Sequence, residues 1–119
     1  MATVLIVDDS TYFRLKLKME LESLGHQVIG EATDGKKAVI LYQQLEPDLV
    51  TMDISMPNVG GIEAVKNIMS KDPNANIIMV SAMGQKHHVL EALKLGAKHF
   101  IVKPMQEDTV KKVLDKVLG

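Results

Sequence analysis

The segment VLIVDDS, residues 4–10, runs four aliphatic side chains directly into two adjacent aspartates, Asp8 and Asp9. Val and Ile are typical of buried β-strands, whereas removing an isolated carboxylate from water costs several kcal/mol. Paired carboxylates at the end of a buried strand therefore need either open solvent or a cation beside them. Asp8 and Asp9 either begin a helix as solvated caps or belong to a metal site, and the rest of the sequence bears on this choice.

Four further short apolar runs follow along the chain, and segments of helical length with amphipathic spacing separate them. The five predicted strands span residues 4–7, 27–30, 49–52, 77–80 and 100–102. Strands and helices in alternation indicate a parallel sheet, and helices on both faces of such a sheet explain why the runs are continuously apolar. We therefore predict an α/β fold: a single domain over residues 1–119, with a doubly wound five-stranded parallel sheet and five helices.

The segment RLKLKMELESL, residues 14–24, is ambiguous because it alternates apolar and charged residues as a half-buried strand does. Its composition favours a helix instead, since Leu, Lys, Met and Glu are strong helix formers and no β-branched residue interrupts them. Ser10 or Thr11 is expected to cap the start of this helix, and Gly25 is expected to end it. The apolar stripe of the predicted helix consists of Phe13, Leu17, Leu21 and Leu24.

Polar side chains stand at the ends of four of the five predicted strands. Asp8 and Asp9 follow the first strand, Asp53 the third, Ser81 the fourth and Lys103 the fifth. The carboxyl ends of parallel strands lie at one edge of a sheet, where open α/β sheets place their ligand sites. We therefore expect these five residues to converge in space.

The chemistry of this set indicates phosphoryl transfer. Clustered carboxylates raise one another's pKa unless a cation neutralises them, and all-oxygen ligands without cysteine favour Mg²⁺ over zinc. A carboxylate, Mg²⁺, Lys103 and the Ser81 hydroxyl are the groups that position a phosphoryl group and neutralise its charge. A carboxylate that acts as nucleophile gives an aspartyl phosphate.

Composition narrows the partners and the compartment. The chain has a net charge of −1 and no block of basic residues, so nucleic acid is not an expected partner. It has no cysteine, no apolar run of the roughly 18 residues that a membrane span needs, and no signal-peptide pattern at its start. We expect a cytoplasmic monomer that binds neither nucleic acid nor membrane.

Four motifs, VLIVDDS, LVTMDISMP, IIMVSAMG and HFIVKP, resemble the receiver domain of two-component response regulators in order and spacing, and the resemblance covers the whole chain. VTMDISMP and SAMGQ look most like the stand-alone CheY-type chemotaxis regulators of Gram-positive bacteria and Thermotoga. The resemblance, not the residues alone, implies the strand order 2-1-3-4-5, of which CheY-type proteins are a known example.

The resemblance also implies roles for individual residues. Asp53 is the implied phosphorylated residue, and Asp8 and Asp9 form the acidic pair. Asp9, Asp53 and the backbone carbonyl of Ser55 are the implied ligands of Mg²⁺, with Asp8 beside them. An FMN electron carrier is disfavoured because the first loop carries these aspartates where it would have to cradle the FMN phosphate.

Further residues are implied to take part in the switch. Ser81 and Lys103 contact the phosphoryl group, Ser81 and Phe100 move on activation, and the bond from Lys103 to Pro104 is cis. Met105 stands where close relatives often have Phe, beside the implied output face. That face is formed by the fourth helix, the fifth strand and the fifth helix.

The resemblance implies a histidine kinase as phosphoryl donor and a flagellar motor switch protein as output partner. A phosphorelay intermediate that passes the group to a histidine phosphotransfer protein, or a receiver for another partner, is the alternative. A haloacid-dehalogenase-type phosphatase needs a D-x-D pattern on the first strand, which is not present. The segment GEATDGKK, residues 30–37, has Lys37 where a nucleotide-binding P-loop needs Ser or Thr, so Asp34-Gly35 is interpreted as a turn.

Overall fold

A computed structural model of the chain describes residues 1–106 and 108–119, and strands and helices alternate throughout them. The elements are β1 (Thr3–Val7), α1 (Thr11–Ser23), β2 (Gln27–Ala32), α2 (Gly35–Leu45), β3 (Leu49–Asp53), α3 (Gly61–Lys71), β4 (Ile77–Ser81), α4 (Lys86–Leu95), β5 (His99–Val102) and α5 (Thr109–Leu118). All five predicted strands are confirmed. Each is one or two residues longer than the sequence predicts, so that Asp53 and Ser81 are themselves the last residues of β3 and β4.

The five strands form one parallel sheet in the order β2-β1-β3-β4-β5, which confirms the predicted fold class. The register aligns the carboxyl ends of the strands. Val7 pairs with Met52, Asp53 with Val80, and Ser81 with Val102. Residues that follow these pairs therefore lie at a common edge of the sheet, as the sequence predicts.

The ambiguous segment after β1 is a helix, as its composition predicts. The Ser10 hydroxyl accepts a hydrogen bond from the Phe13 N–H at 3.1 Å, so Ser10 is the N-cap. Gly25, with φ of +89°, takes the left-handed conformation just beyond the helix end. Phe13, Leu17 and Leu21 are buried, whereas Leu24 is only partly buried. Helix propensity and capping therefore outweigh the alternating pattern.

Two apolar layers, one on each face of the sheet, form the core. Leu5 and Val7 of β1 face the layer that includes α2, α3 and α4, while Val4 and Ile6 face the layer under α1 and α5. Each of these four side chains is at most 1% exposed. Successive strand residues point to opposite faces, so a strand covered on both faces must be apolar at every position.

The segment at residues 30–37 does not form a phosphate-binding loop. Gly30 lies inside β2, and Asp34 is the N-cap of α2, where its side chain accepts a hydrogen bond from the Lys37 N–H at 2.9 Å. The prediction of a turn at Asp34-Gly35 is wrong in one respect, because Gly35 is already the first residue of α2. A carboxylate occupies the helix N-terminus that a phosphate would need.

Among the residues that the structure describes, no helix combines the length and the apolar character that crossing a membrane requires.

Candidate functional site

Three carboxylates converge at the carboxyl edge of the sheet. Asp8 and Asp9 follow β1, Asp53 ends β3, and their side-chain oxygens lie within 4.8 Å of one another. Asp8 is 1% exposed and Asp53 5% exposed, whereas Asp9 is exposed to solvent. The acidic cluster that the sequence predicts is therefore present, with one open side.

Lys103, directly after β5, supplies the positive charge of the site. Its Nζ lies 2.8 Å from Oδ2 of Asp8 and 3.9 Å from Oδ2 of Asp53. The same ammonium lies 4.2 Å from the ring centroid of Phe13, a distance at which a cation is attracted to an aromatic face. The Lys103 N–H donates to the Ser81 carbonyl at 2.7 Å, and the Lys103–Pro104 bond is cis. Ser81 is 1% exposed and is the last residue of β4, the strand beside β3, so its hydroxyl belongs to the same edge of the sheet as Asp53.

Backbone and side-chain donors fix the position of Asp8. The Ser10 N–H donates to Oδ1 of Asp8 at 2.8 Å, which leaves Oδ2 for Lys103. Arg14 donates from Nη1 to the Asp8 carbonyl at 2.8 Å and pairs through Nε with Glu31 at 3.0 Å. Arg14 is not among the site residues predicted from the sequence. Because Arg14 lies in the first turn of the helix that follows the two aspartates, the sequence does place a positive charge close to them.

Two loops border the acidic cluster at the ends of β3 and β4. Gly61, at the start of α3, packs so closely on Asp53 that a Cβ there would collide with the Asp53 carbonyl oxygen. In the second loop, the Gln85 side chain accepts a hydrogen bond from the Ala82 N–H and donates one to the Ser55 hydroxyl, both at 2.7 Å. Gln85 is not among the site residues predicted from the sequence, because nothing in a single sequence indicates a contact across 30 residues.

Phe100 lies apart from the acidic cluster. Its side chain is 39% exposed and borders an apolar groove between α4 and β5, together with Met83 and Leu90. Met105 instead packs against the core layer under α1 and α5. The structure thus brings Asp8, Asp9, Asp53 and Lys103 together. It places Ser81 at the same edge of the sheet and Phe100 at a neighbouring surface.

Burial, and next the negative charge of Asp8, raise the pKa of Asp53 from its ordinary 3.8 to about 7. Lys103 opposes this effect, while Asp9 adds to it. Three carboxylates carry more negative charge than one lysine compensates, and the raised pKa means that Asp53 binds a proton more readily than a free aspartate does.

This pKa predicts how stability depends on pH without metal. Between pH 3.8 and about 7, Asp53 carries a proton in the folded protein but has lost it in the unfolded chain. The free energy of unfolding therefore declines as the pH rises from 3.8 to about 7. Asp53→Asn abolishes this loss. We expect the variant to match the wild type near pH 4 and to exceed its free energy of unfolding by about 1–2 kcal/mol at pH 8, since solvent at the open side screens part of the penalty.

Urea unfolding of both proteins in EDTA at the two pH values measures this difference. A stability difference between variant and wild type that is the same at both pH values would contradict the raised pKa.

The donor set fits a hard divalent cation. Every side chain offered is a carboxylate, and oxygen ligands with at least one open position are what Mg²⁺ binds. The buried Oδ2 of Asp8 lies near Lys103 but accepts no well-aligned hydrogen bond from residues 1–106 and 108–119. A buried carboxylate oxygen with spare acceptor capacity, beside two further carboxylates, is a suitable cation environment.

Comparisons with known proteins agree with this geometry. The family model described as response regulator receiver domain matches residues 4–115. Chemotaxis protein CheY of Thermotoga maritima is 55% identical over 114 residues, covering 96% of this chain and 95% of the relative. CheY of Bacillus subtilis is 49% identical over 116 residues, covering 98% of this chain and 97% of the relative.

Among solved structures, the CheX-CheY-BeF3-Mg+2 complex from Borrelia burgdorferi includes a chain that is 42% identical to this one. The TM-score is 0.89, with 95% of this chain and 87% of that chain covered. The resemblance to receiver domains that the four motifs indicate, and the likeness to CheY proteins that VTMDISMP and SAMGQ indicate, are thus confirmed over nearly the whole length. The chain belongs to the family of response regulator receiver domains.

Proposed function

We propose that this receiver is a phosphorylation-activated signalling switch, with Asp53 as the phosphoryl acceptor. The observation that carries the proposal is the convergence of Asp8, Asp9, Asp53, Ser81 and Lys103, from four separate strand ends, at one edge of the sheet. Within that set Asp53 is 5% exposed, a carboxylate oxygen of it lies within 4.8 Å of oxygens of Asp8 and Asp9, and its Oδ2 lies 3.9 Å from the Lys103 ammonium. As a phospho-acceptor it is a signalling protein rather than an enzyme that turns over an external substrate.

In the proposed reaction a carboxylate oxygen of Asp53 attacks the phosphorus of the donor. The bond from phosphorus to the donor's leaving atom breaks, and the leaving group departs with the electron pair. Attack requires the deprotonated carboxylate, whose pKa Lys103 lowers against the effect of burial. Lys103 then neutralises charge on the phosphoryl oxygens, and the Ser81 hydroxyl donates a hydrogen bond to one of them.

Asp8, Asp9 and Asp53, with the backbone carbonyl of Ser55, would hold Mg²⁺ in this site. When bound, the ion supplies positive charge that offsets the three carboxylates and the phosphoryl oxygens. Asp8 also keeps Lys103 in place through the 2.8 Å ion pair. Phosphoryl contact draws Ser81 toward Asp53, and Phe100, which stands exposed on β5, turns inward and reshapes the groove beside α4.

The proposal extends to the partners. A histidine kinase donates the phosphoryl group, and the surface of α4, β5 and α5 binds a flagellar motor switch protein. We propose one receiver domain over residues 1–119, acting as a cytoplasmic monomer without nucleic acid. The sequence likeness to CheY proteins favours chemotaxis over a phosphorelay.

Phosphorylation itself is directly testable. Incubation with Mg²⁺ and acetyl phosphate is expected to add one phosphoryl group, because Asp53 is the single proposed acceptor and Lys103 lies beside it. Intact-protein mass spectrometry measures the addition, and the same incubation in EDTA is the control. A protein that stays unmodified at saturating acetyl phosphate would contradict the proposal.

The output partner is tested by a pull-down with and without beryllofluoride, a mimic of the phosphoryl group. Enrichment of a motor switch protein by beryllofluoride supports the chemotaxis function. Enrichment of a histidine phosphotransfer protein alone would assign the chain to a relay instead.

A further inference from the structure

The side chain of Gln85 joins the two loops that border the acidic cluster. Its Oε1 accepts from the Ala82 N–H and its Nε2 donates to the Ser55 hydroxyl, each at 2.7 Å. The orientation of the amide is fixed, because the Ala82 N–H is a donor and must face the oxygen. Ser55 lies two residues beyond Asp53, and Ala82 directly follows Ser81. The amide therefore spans the rim of the site.

The Ala82 N–H is a donor that the sheet leaves unpaired. The Val80 carbonyl accepts from the Ile54 N–H at 3.1 Å, so the next bond of a parallel ladder would run from the Ala82 N–H to the Ile54 carbonyl. That carbonyl instead accepts from the Gly61 N–H at 3.0 Å. Because alternate N–H groups of a strand point the same way, the Ala82 N–H faces the end of β3, where Asp53 stands.

Gln85 reaches this donor instead of serving its own helix. It is the N-cap residue of α4, but in the described part of the chain its side chain makes no capping bond to α4. Gly84, with φ of +87°, makes the tight turn that folds Gln85 back over Ala82. Gln85 therefore makes this contact instead of capping the N-terminus of α4.

We propose that Gln85 is a positioning residue that occupies the Ala82 N–H in the unphosphorylated protein and competes for it with the phosphoryl group. The inference rests on the proposed phosphorylation of Asp53. A phosphoryl group on Asp53 brings three strong acceptor oxygens to the rim that Gln85 spans. One of them takes the Ala82 N–H, Gln85 releases Ala82 and Ser55, and the start of α4 is freed to rearrange.

Gln85→Met tests the competition, because methionine keeps the length of the side chain and loses both hydrogen bonds. With one competing hydrogen bond removed, we expect affinity for beryllofluoride in Mg²⁺ to rise about threefold to tenfold. Affinity for Mg²⁺ alone is expected to stay unchanged, whereas a merely loosened site would bind Mg²⁺ more weakly. The Ala82 amide is expected to exchange faster with solvent in free Gln85→Met than in the free wild type, as measured by NMR.

Three further variants complete the test. Gln85→Glu keeps the acceptor for the Ala82 N–H, so its affinity for beryllofluoride is expected not to rise. Gln44→Met, on the exposed face of α2, is the matched control and is expected to behave as the wild type. Should Gln85→Met not fold, Gln85→Asn, too short to reach both loops, takes its place.

Equal or weaker beryllofluoride binding by folded Gln85→Met, with Mg²⁺ affinity retained, would overturn the role of Gln85. A wild type that binds no beryllofluoride and accepts no phosphoryl group would overturn the proposed function instead.

Discussion

Asp53→Asn is expected to abolish phosphoryl incorporation from acetyl phosphate. The amide has no negative charge and is a far weaker nucleophile than a carboxylate. Asp53 is 5% exposed, and its pKa is raised to about 7. Losing the nucleophile lowers the rate by about three orders of magnitude or more. Intact-protein mass spectrometry over a time course measures the rate.

The matched control is Asp115→Asn, which changes an exposed carboxylate on α5 in the same way. It is expected to accept the phosphoryl group at the wild-type rate. Asp53→Asn should also be as stable as the wild type or more so at neutral pH, so loss of labelling is not loss of fold. Full labelling of Asp53→Asn would transfer the acceptor role to another residue.

The sequence predicts the sheet and the position of the site because both follow from simple rules. Apolar runs such as Val4–Val7 can be recognised in the sequence, because a strand that is covered on both faces is apolar at every position. Parallel strands then bring their carboxyl ends to one edge, so the convergence of Asp8, Asp53 and Lys103 follows from the topology.

Contacts that depend on loop conformation are not predictable in this way. The bonds from Gln85 to Ala82 and Ser55 require the turn at Gly84 and the exact spacing of two loops. Likewise, the hydrogen bond from Arg14 to the Asp8 carbonyl depends on the conformation of the loop between β1 and α1. Periodicity carries no information on either, because both are made by polar residues outside the core.

Lys103→Met is expected to weaken both stability and phosphorylation. Removing the ammonium leaves the 1%-exposed Asp8 without its charge partner, and breaking a buried ion pair destabilises by a few kcal/mol. Because Lys103 itself is 27% exposed, we expect a loss of about 2 kcal/mol in EDTA, measured by urea unfolding. The rate of labelling by acetyl phosphate is expected to fall about 100-fold, the usual effect of losing one charge-stabilising donor.

Lys111→Met provides the matched control, since Lys111 pairs with Asp115 at 3.0 Å but both side chains are exposed. Its effect on stability is expected to stay below about 0.5 kcal/mol, without change in labelling. The double variant Asp8→Asn with Lys103→Met removes the uncompensated charge, so it should be more stable than Lys103→Met alone. If, with Asp8→Asn measured alone as well, the two substitutions were simply additive, Lys103 would not be the stabilising partner of Asp8.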